Sequence, residues 1–297
     1  MYVNGFILIG TGLGSVIFGN FSYNYINSDH VSPVNGYYEL EIAERVPACL
    51  RYLSLLYLAI GTLGTTMLIP VVNYNVEYAK SHHIIEIAEN EAQSIKDAVC
   101  SFVFWKKIGV LIMATCGVFL ITGNYKTYVK EEIHDDKFLT LIGSVGAIGN
   151  GFSRFLWSVL FNKTGYKFVM LLNIGLCLIV LGTIRFTVLE SHGSYLFLVF
   201  LMNCCLGGYL VITPIFSQIV FGTETGSNIY GFFWCTYSIA NFIQFGYVSG
   251  LTNPITFNNI IYICMGMCVL SIPMVVLNTW KGHWDNPIGA LEYCQAG

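Results

Sequence analysis

The chain has 297 residues, of which 55% are hydrophobic and 10% charged; its net charge is −3 and its mean hydropathy +0.63. A soluble chain is typically about 25% charged, so there is too little polar surface here to coat a water-facing globule. Nothing basic is dense enough to neutralise nucleic-acid phosphates. The composition calls for a lipid bilayer as solvent, and with it an all-α, multi-pass transmembrane bundle in the plasma membrane or an organelle membrane.

A spanning helix needs about 20 mostly apolar residues. Eight stretches qualify, and the first is 5–25. Its GTGLGS run (10–15) resembles a dinucleotide-binding loop, but the third glycine falls at Ser15 and no βαβ context follows. The better reading is close helix packing in lipid, with Gly10 and Gly14 at GxxxG spacing. The opening residues show no basic n-region and no cleavage site of a signal peptide. An acidic loop (26–48) holds Asp29, Glu39, Glu41 and Glu44 and leads to the second span, 49–72.

The long hydrophilic stretch 73–107 follows. Near its end Ile95, Val99, Phe102 and Val103 fall on one helical face, which predicts an amphipathic surface helix. His82, His83 and Glu86 invite a metal reading, but a solvated helix explains them and no metal site is expected. The remaining spans are 108–126, 138–161, 168–189, 194–221, 229–251 and 258–280, followed by a tail, 281–297. Alternate loops hold seven basic residues (Lys80, Lys96, Lys106, Lys107, Lys163, Lys167, Lys281) against six (Arg45, Arg51, Lys126, Lys130, Lys137, Arg185). The positive-inside rule puts the first set in the cytoplasm by a narrow margin.

The ten cysteines lie mostly in apolar stretches, for example Cys116, Cys177, Cys204, Cys205, Cys264 and Cys268, without CxxC pairs or zinc spacing. They read as small packing residues. No Walker loop, HExxH, GxSxG, intramembrane nucleophile or carboxylate pair occurs, which argues against an enzyme and against any cofactor. Asn20-Phe21-Ser22 and Asn162-Lys163-Thr164 are glycosylation sequons by spelling, and neither is expected to be used.

Arg154 stands within a span, where a charge costs about 2.5–3.5 kcal/mol on insertion scales. Every Asp and Glu of the chain falls in a loop or at a span end, so no other span offers an acidic partner. Snorkelling to Asn162 would need a reach of about 12 Å. A guanidinium presents a planar fork suited to a carboxylate. Asn150 and Trp157, a turn to either side, share its face. Tyr237, Asn241 and Gln244 form a second polar stripe, to line the same cavity or to hydrogen-bond between helices.

The segment Arg154-x7-Asn162-Lys163-x-Gly165-x-Lys167 resembles the major facilitator signature between the second and third helices of a half. GTGLGSVIFG (10–19), NGYYELEIAERVP (35–47), GNYKTYV (123–129), DDKFLTLIGSVGAIGNGFSRFLW (135–157) and FGTETGSNIYG (221–231) resemble its oxalate/formate antiporter and monocarboxylate transporter-like branch. The resemblance implies a partial major facilitator fold whose eight spans match family helices five to twelve. Residues 1–72 would be the last two helices of the N-terminal half, 73–107 the cytoplasmic linker, 108–280 the complete C-terminal half and 281–297 a cytoplasmic tail.

It also implies alternating-access transport of a small organic anion. Arg154 is placed as the substrate-contacting arginine, and Asn162, Lys163, Gly165 and Lys167 as a cytoplasmic gate. Asn162 replaces the signature's acid, Ser158 a usual glycine, and span 229–251 lacks the lysine of some oxalate transporters, which favours a monocarboxylate. The alternative is a truncated or non-transporting membrane protein that needs a partner chain for the missing helices.

Overall fold

The computed structural model describes residues 2–28, 31, 38–81, 95–129, 132, 133, 135–249 and 254–277. Among them all regular structure is helical: α1 (Tyr2–Ile26), α2 (Leu40–Ser81), α3 (Ile95–Cys100), α4 (Phe102–Tyr128), α5 (Asp136–Glu190), α6 (His192–Phe221), α7 (Thr223–Ser249) and α8 (Pro254–Val276). Helices satisfy every backbone group internally, which an apolar solvent demands. Each stretch predicted to span lies largely within one of these helices. The tail, His82, His83, Glu86 and the Gln244 side chain lie outside the described residues.

Among the described residues, five helical segments are long and apolar enough to cross a bilayer: Leu40–Met67, Phe102–Tyr128, Lys137–Phe186, His192–Phe221 and Phe257–Val276. α7, read from sequence as a span, is not among them; Asn228, Ser238, Asn241 and Gln244 dilute its apolar content. A single 55-residue helix such as α5 would be about 80 Å long, far more than the roughly 30 Å hydrocarbon core. It is two limbs, 136–164 and 166–190, broken at Gly165 with φ 79° and ψ 174°. That conformation is essentially restricted to glycine. Gly222, between α6 and α7, adopts the same one (φ 82°, ψ 169°).

The amphipathic helix expected before the third span is short. α3 ends at Cys100 because the Ser101 side chain caps the next helix, accepting from the Phe104 amide at 3.3 Å. This cap interrupts the expected apolar face: Ala98 is the buried residue, while Phe102, across the break, is 79% exposed.

The chain forms two compact units, residues 17–92 and residues 1–16 with 93–297. In the first, the end of α1 meets α2 through aromatic pairs, Phe18–Tyr57 at 4.8 Å and Tyr25–Tyr52 at 5.6 Å. Beyond these, the described apolar side chains of α2 between residues 50 and 67 are almost all exposed. Lipid is the solvent such a surface requires.

In the second unit α5 and α6 share the most extensive interface, and α4 packs against α8 and α7. One end of this bundle is fastened by Tyr195, whose hydroxyl donates to the Tyr125 carbonyl (2.7 Å), and by Tyr128, donating to Asn258 Oδ1 (3.2 Å). The Gly165 turn lies at the other end.

Candidate functional site

Arg154 is on the first limb of α5 and is 7% exposed. Its Nε donates to Asn150 Oδ1 at 3.0 Å, one helical turn earlier. The two residues share a face as their spacing predicts, and the bond sets the plane of the guanidinium. Gly207 of α6 makes this packing possible. A methyl group there would strike Ser153 Oγ, and would come within 2.6 Å of the Asn150 carbonyl oxygen and 3.3 Å of Arg154 Cγ. The arginine stem therefore lies directly on the α6 backbone.

Trp157 is turned to α6 as well. Its indole N–H donates to the Cys204 carbonyl at 2.9 Å. The second limb of α5 adds Asn173, fully buried, whose Nδ2 donates to the Cys205 carbonyl at 3.1 Å. Asn173 Oδ1 is buried with no protein partner. Trp157 Nε1 and Asn173 Nδ2 both approach within 2.9 Å of where a Gly208 side chain would begin. The Cys204–Gly208 run, all small residues but Leu206, is thus the surface on which both limbs of α5 settle. The Gly-Gly pair in an apolar run was the sequence signal for it, and side-chain chemistry drew attention elsewhere.

The stripe on α7 divides. Tyr237 is 2% exposed and its hydroxyl is committed to α6: it lies 2.6 Å from Thr213 Oγ1 and donates to the Tyr209 carbonyl at 3.0 Å. This is the interhelical hydrogen bonding that the spacing also allowed. Asn241 is exposed and donates within its own helix, to the Tyr237 carbonyl at 3.0 Å.

Sequence reasoning missed one α7 residue in the neighbourhood of Arg154. Tyr230, two turns before Tyr237, stands near enough to feel the guanidinium charge. It continues into an aromatic ladder, with ring centroids 6.1 Å from Trp234, which is in turn 5.7 Å from Tyr237. Trp234 is 47% exposed. An oriented guanidinium with a phenol in its neighbourhood is a set that could hold a small anion by charge and hydrogen bonds, and the aromatic row of α7 continues from that phenol.

At the Gly165 turn, Lys163 and Lys167 are exposed and Asn162 half-buried. Tyr166 is buried, and reaching it is a cation that the sequence assigned to a loop. Lys107 of α4 is 3% exposed, donates to the Tyr166 hydroxyl at 3.1 Å, and sits 4.6 Å above the Tyr166 ring and 4.4 Å above that of Phe216. A desolvated cation–π contact is worth about 2 kcal/mol, against an effective desolvation cost of several kcal/mol for a buried ion. Among the described residues no group of His, Cys, Asp and Glu is arranged to hold a metal ion.

These features define a multi-pass helical membrane protein with a buried cationic site. No protein-family model matches the chain, and no solved structure does. It is 22% identical to apicoplast pyruvate carrier 1 of Toxoplasma gondii over 319 aligned positions, covering 92% of this chain and 57% of that one. The chain therefore spans little more than half the length of the carrier it resembles.

Proposed function

We propose that the protein works in transmembrane transport of a small organic anion, a monocarboxylate of the size of pyruvate, as a member of the oxalate/formate antiporter and monocarboxylate transporter-like branch of the major facilitators. The observation that carries this reading is Arg154: a mid-span guanidinium, buried and oriented by Asn150 at 3.0 Å. Likeness to a carrier whose name specifies a monocarboxylate supports it.

In this reading Arg154 takes the carboxylate and Tyr230 donates to a second oxygen. Trp234 bounds the substrate's short apolar part. Asn150 and Trp157 act by positioning, the first by orienting the guanidinium and the second by fixing α5 on α6. Tyr237 holds α7 to α6, and Asn241 lies one turn beyond it on α7. Residues 1–72 belong to one half of the fold and 108–280 to the other, with 73–107 as the cytoplasmic linker. The turn of Asn162, Lys163, Gly165 and Lys167 gates the cytoplasmic side in alternating access.

The test is uptake of labelled pyruvate into liposomes containing the protein, with binding followed on the purified chain. Charge-assisted hydrogen bonds are worth about 1.5–3 kcal/mol, so Arg154→Leu should weaken binding about 10- to 150-fold. Arg154→Lys should also be impaired, because a point charge cannot replace the fork. Pyruvate binding equal to wild type in Arg154→Leu, with the protein folded, refutes the assignment.

A further inference from the structure

We propose that the cavity at the Gly165 end of the bundle, walled by Val103, Lys106, Lys107, Tyr166, Phe216 and Met274, binds an anionic phospholipid, one phosphate oxygen reaching the Lys107 ammonium and the rest of the lipid lying outside it, against the exposed Phe102 and Trp105. This site is separate from Arg154 and does not depend on the transport reading.

Three observations converge on it. The first is the state of Lys107. An ammonium has three N–H donors. One goes to the Tyr166 hydroxyl at 3.1 Å, and the rest of the charge rests on two ring faces at 4.6 and 4.4 Å. Ring faces attract a cation but are weak acceptors for directed hydrogen bonds. No carboxylate lines the cavity, whereas a second lysine, Lys106, does. The site is short of one anionic oxygen.

The second is size. The room it offers a water-sized group is about 10 Å³, close to the least that admits one. One phosphate oxygen can enter while the rest of the headgroup stays at the mouth, against the half-exposed Lys106.

The third is depth in the membrane. Beside the two lysines, Phe102 and Trp105 are 79% and 59% exposed. Exposed aromatic rings next to lysines mark the level of the lipid headgroups, and Lys163 and Lys167 are exposed on the neighbouring turn. The remaining lining is valine and methionine. A free anion gains nothing from the exposed Phe102 and Trp105 outside the cavity, whereas the apolar part of a lipid does. Basic pockets between spanning helices are the expected seats of anionic headgroups.

The experiment uses the purified, delipidated full chain in neutral detergent. Thermal unfolding is followed while dioleoylphosphatidylglycerol, dioleoylphosphatidylcholine or inorganic phosphate is added. The anionic lipid should raise the unfolding temperature at low micromolar excess, while the zwitterionic lipid and phosphate leave it within a degree. Lys107→Met should raise the half-effect concentration at least tenfold, and Lys106→Gln two- to fivefold. Lys107→Arg should keep most of the response.

Should Lys107→Met fail to fold, Val103→Trp, which fills the mouth and leaves both lysines, takes its place and should abolish the shift. Equal stabilisation by both lipids overturns the proposal, as does a wild-type response in Lys107→Met or Val103→Trp. A shift produced by phosphate alone also overturns it, because the ligand would then be a free anion.

Discussion

Gly207→Ala is the sharpest test of how the Arg154 site is built. The added methyl would stand 2.6 Å from the Asn150 carbonyl oxygen, where ordinary contact begins near 3.4 Å, so α6 and the first limb of α5 must part by about 0.8 Å. No rotamer relieves this, because the obstacle is backbone. Overpacking of this kind costs about 1–3 kcal/mol, and the strain falls on the turn that carries Asn150 and Arg154. Gly175→Ala is the control. It sits in the second limb of α5 with nothing within 4 Å of the new methyl, and the helix propensity gain of up to about 1 kcal/mol should leave it neutral or more stable.

Thermal unfolding of the two purified variants should therefore move in opposite directions. Pyruvate binding should be lost only in Gly207→Ala. If Gly207→Ala unfolds at the wild-type temperature, the close approach of α6 to Arg154 is wrong, and the orientation argued for the guanidinium falls with it.

Gly165→Ala should lower stability by about 1–3 kcal/mol, because φ 79° with ψ 174° is a glycine conformation; an unchanged unfolding temperature would mean that the two limbs of α5 are not joined by this turn. Tyr237→Phe removes a hydroxyl bonded to Thr213 and to the Tyr209 carbonyl, and should cost about 1–2 kcal/mol. Pyruvate affinity should stay within twofold in that variant, and a tenfold loss of affinity without loss of stability would return Tyr237 to the substrate site. Tyr230→Phe should do the reverse, weakening pyruvate binding severalfold while leaving the unfolding temperature within a degree.

The sequence by itself determined the solvent and the element type. With 10% charged residues in 297 and apolar runs of about 20 residues, the chain reads as helices across lipid, since the strands of a closed barrel need only about 10 residues each. Local chemistry was equally legible. Asn150 and Arg154 share a face by spacing alone, and the break at Gly165 was visible as a lone glycine among Asn162, Lys163 and Lys167.

Which face of each helix meets protein was decided only by tertiary structure. In water an amphipathic pattern gives that face away. In lipid the outer face is as apolar as the inner one, and α7 exposes Phe232, Ile239 and Phe242 while burying Phe233 and Tyr237. Periodicity is silent between such faces, so Tyr237 could be read as cavity-lining when its hydroxyl is bound to α6, and Tyr230 could be passed over. Lys107 shows the same limit from the polar side. Beside Lys106 at the edge of a hydrophilic stretch it reads as a solvated loop charge. Only the approach of Tyr166 and Phe216, from residues 59 positions or more further along the chain, brings two rings together around its ammonium.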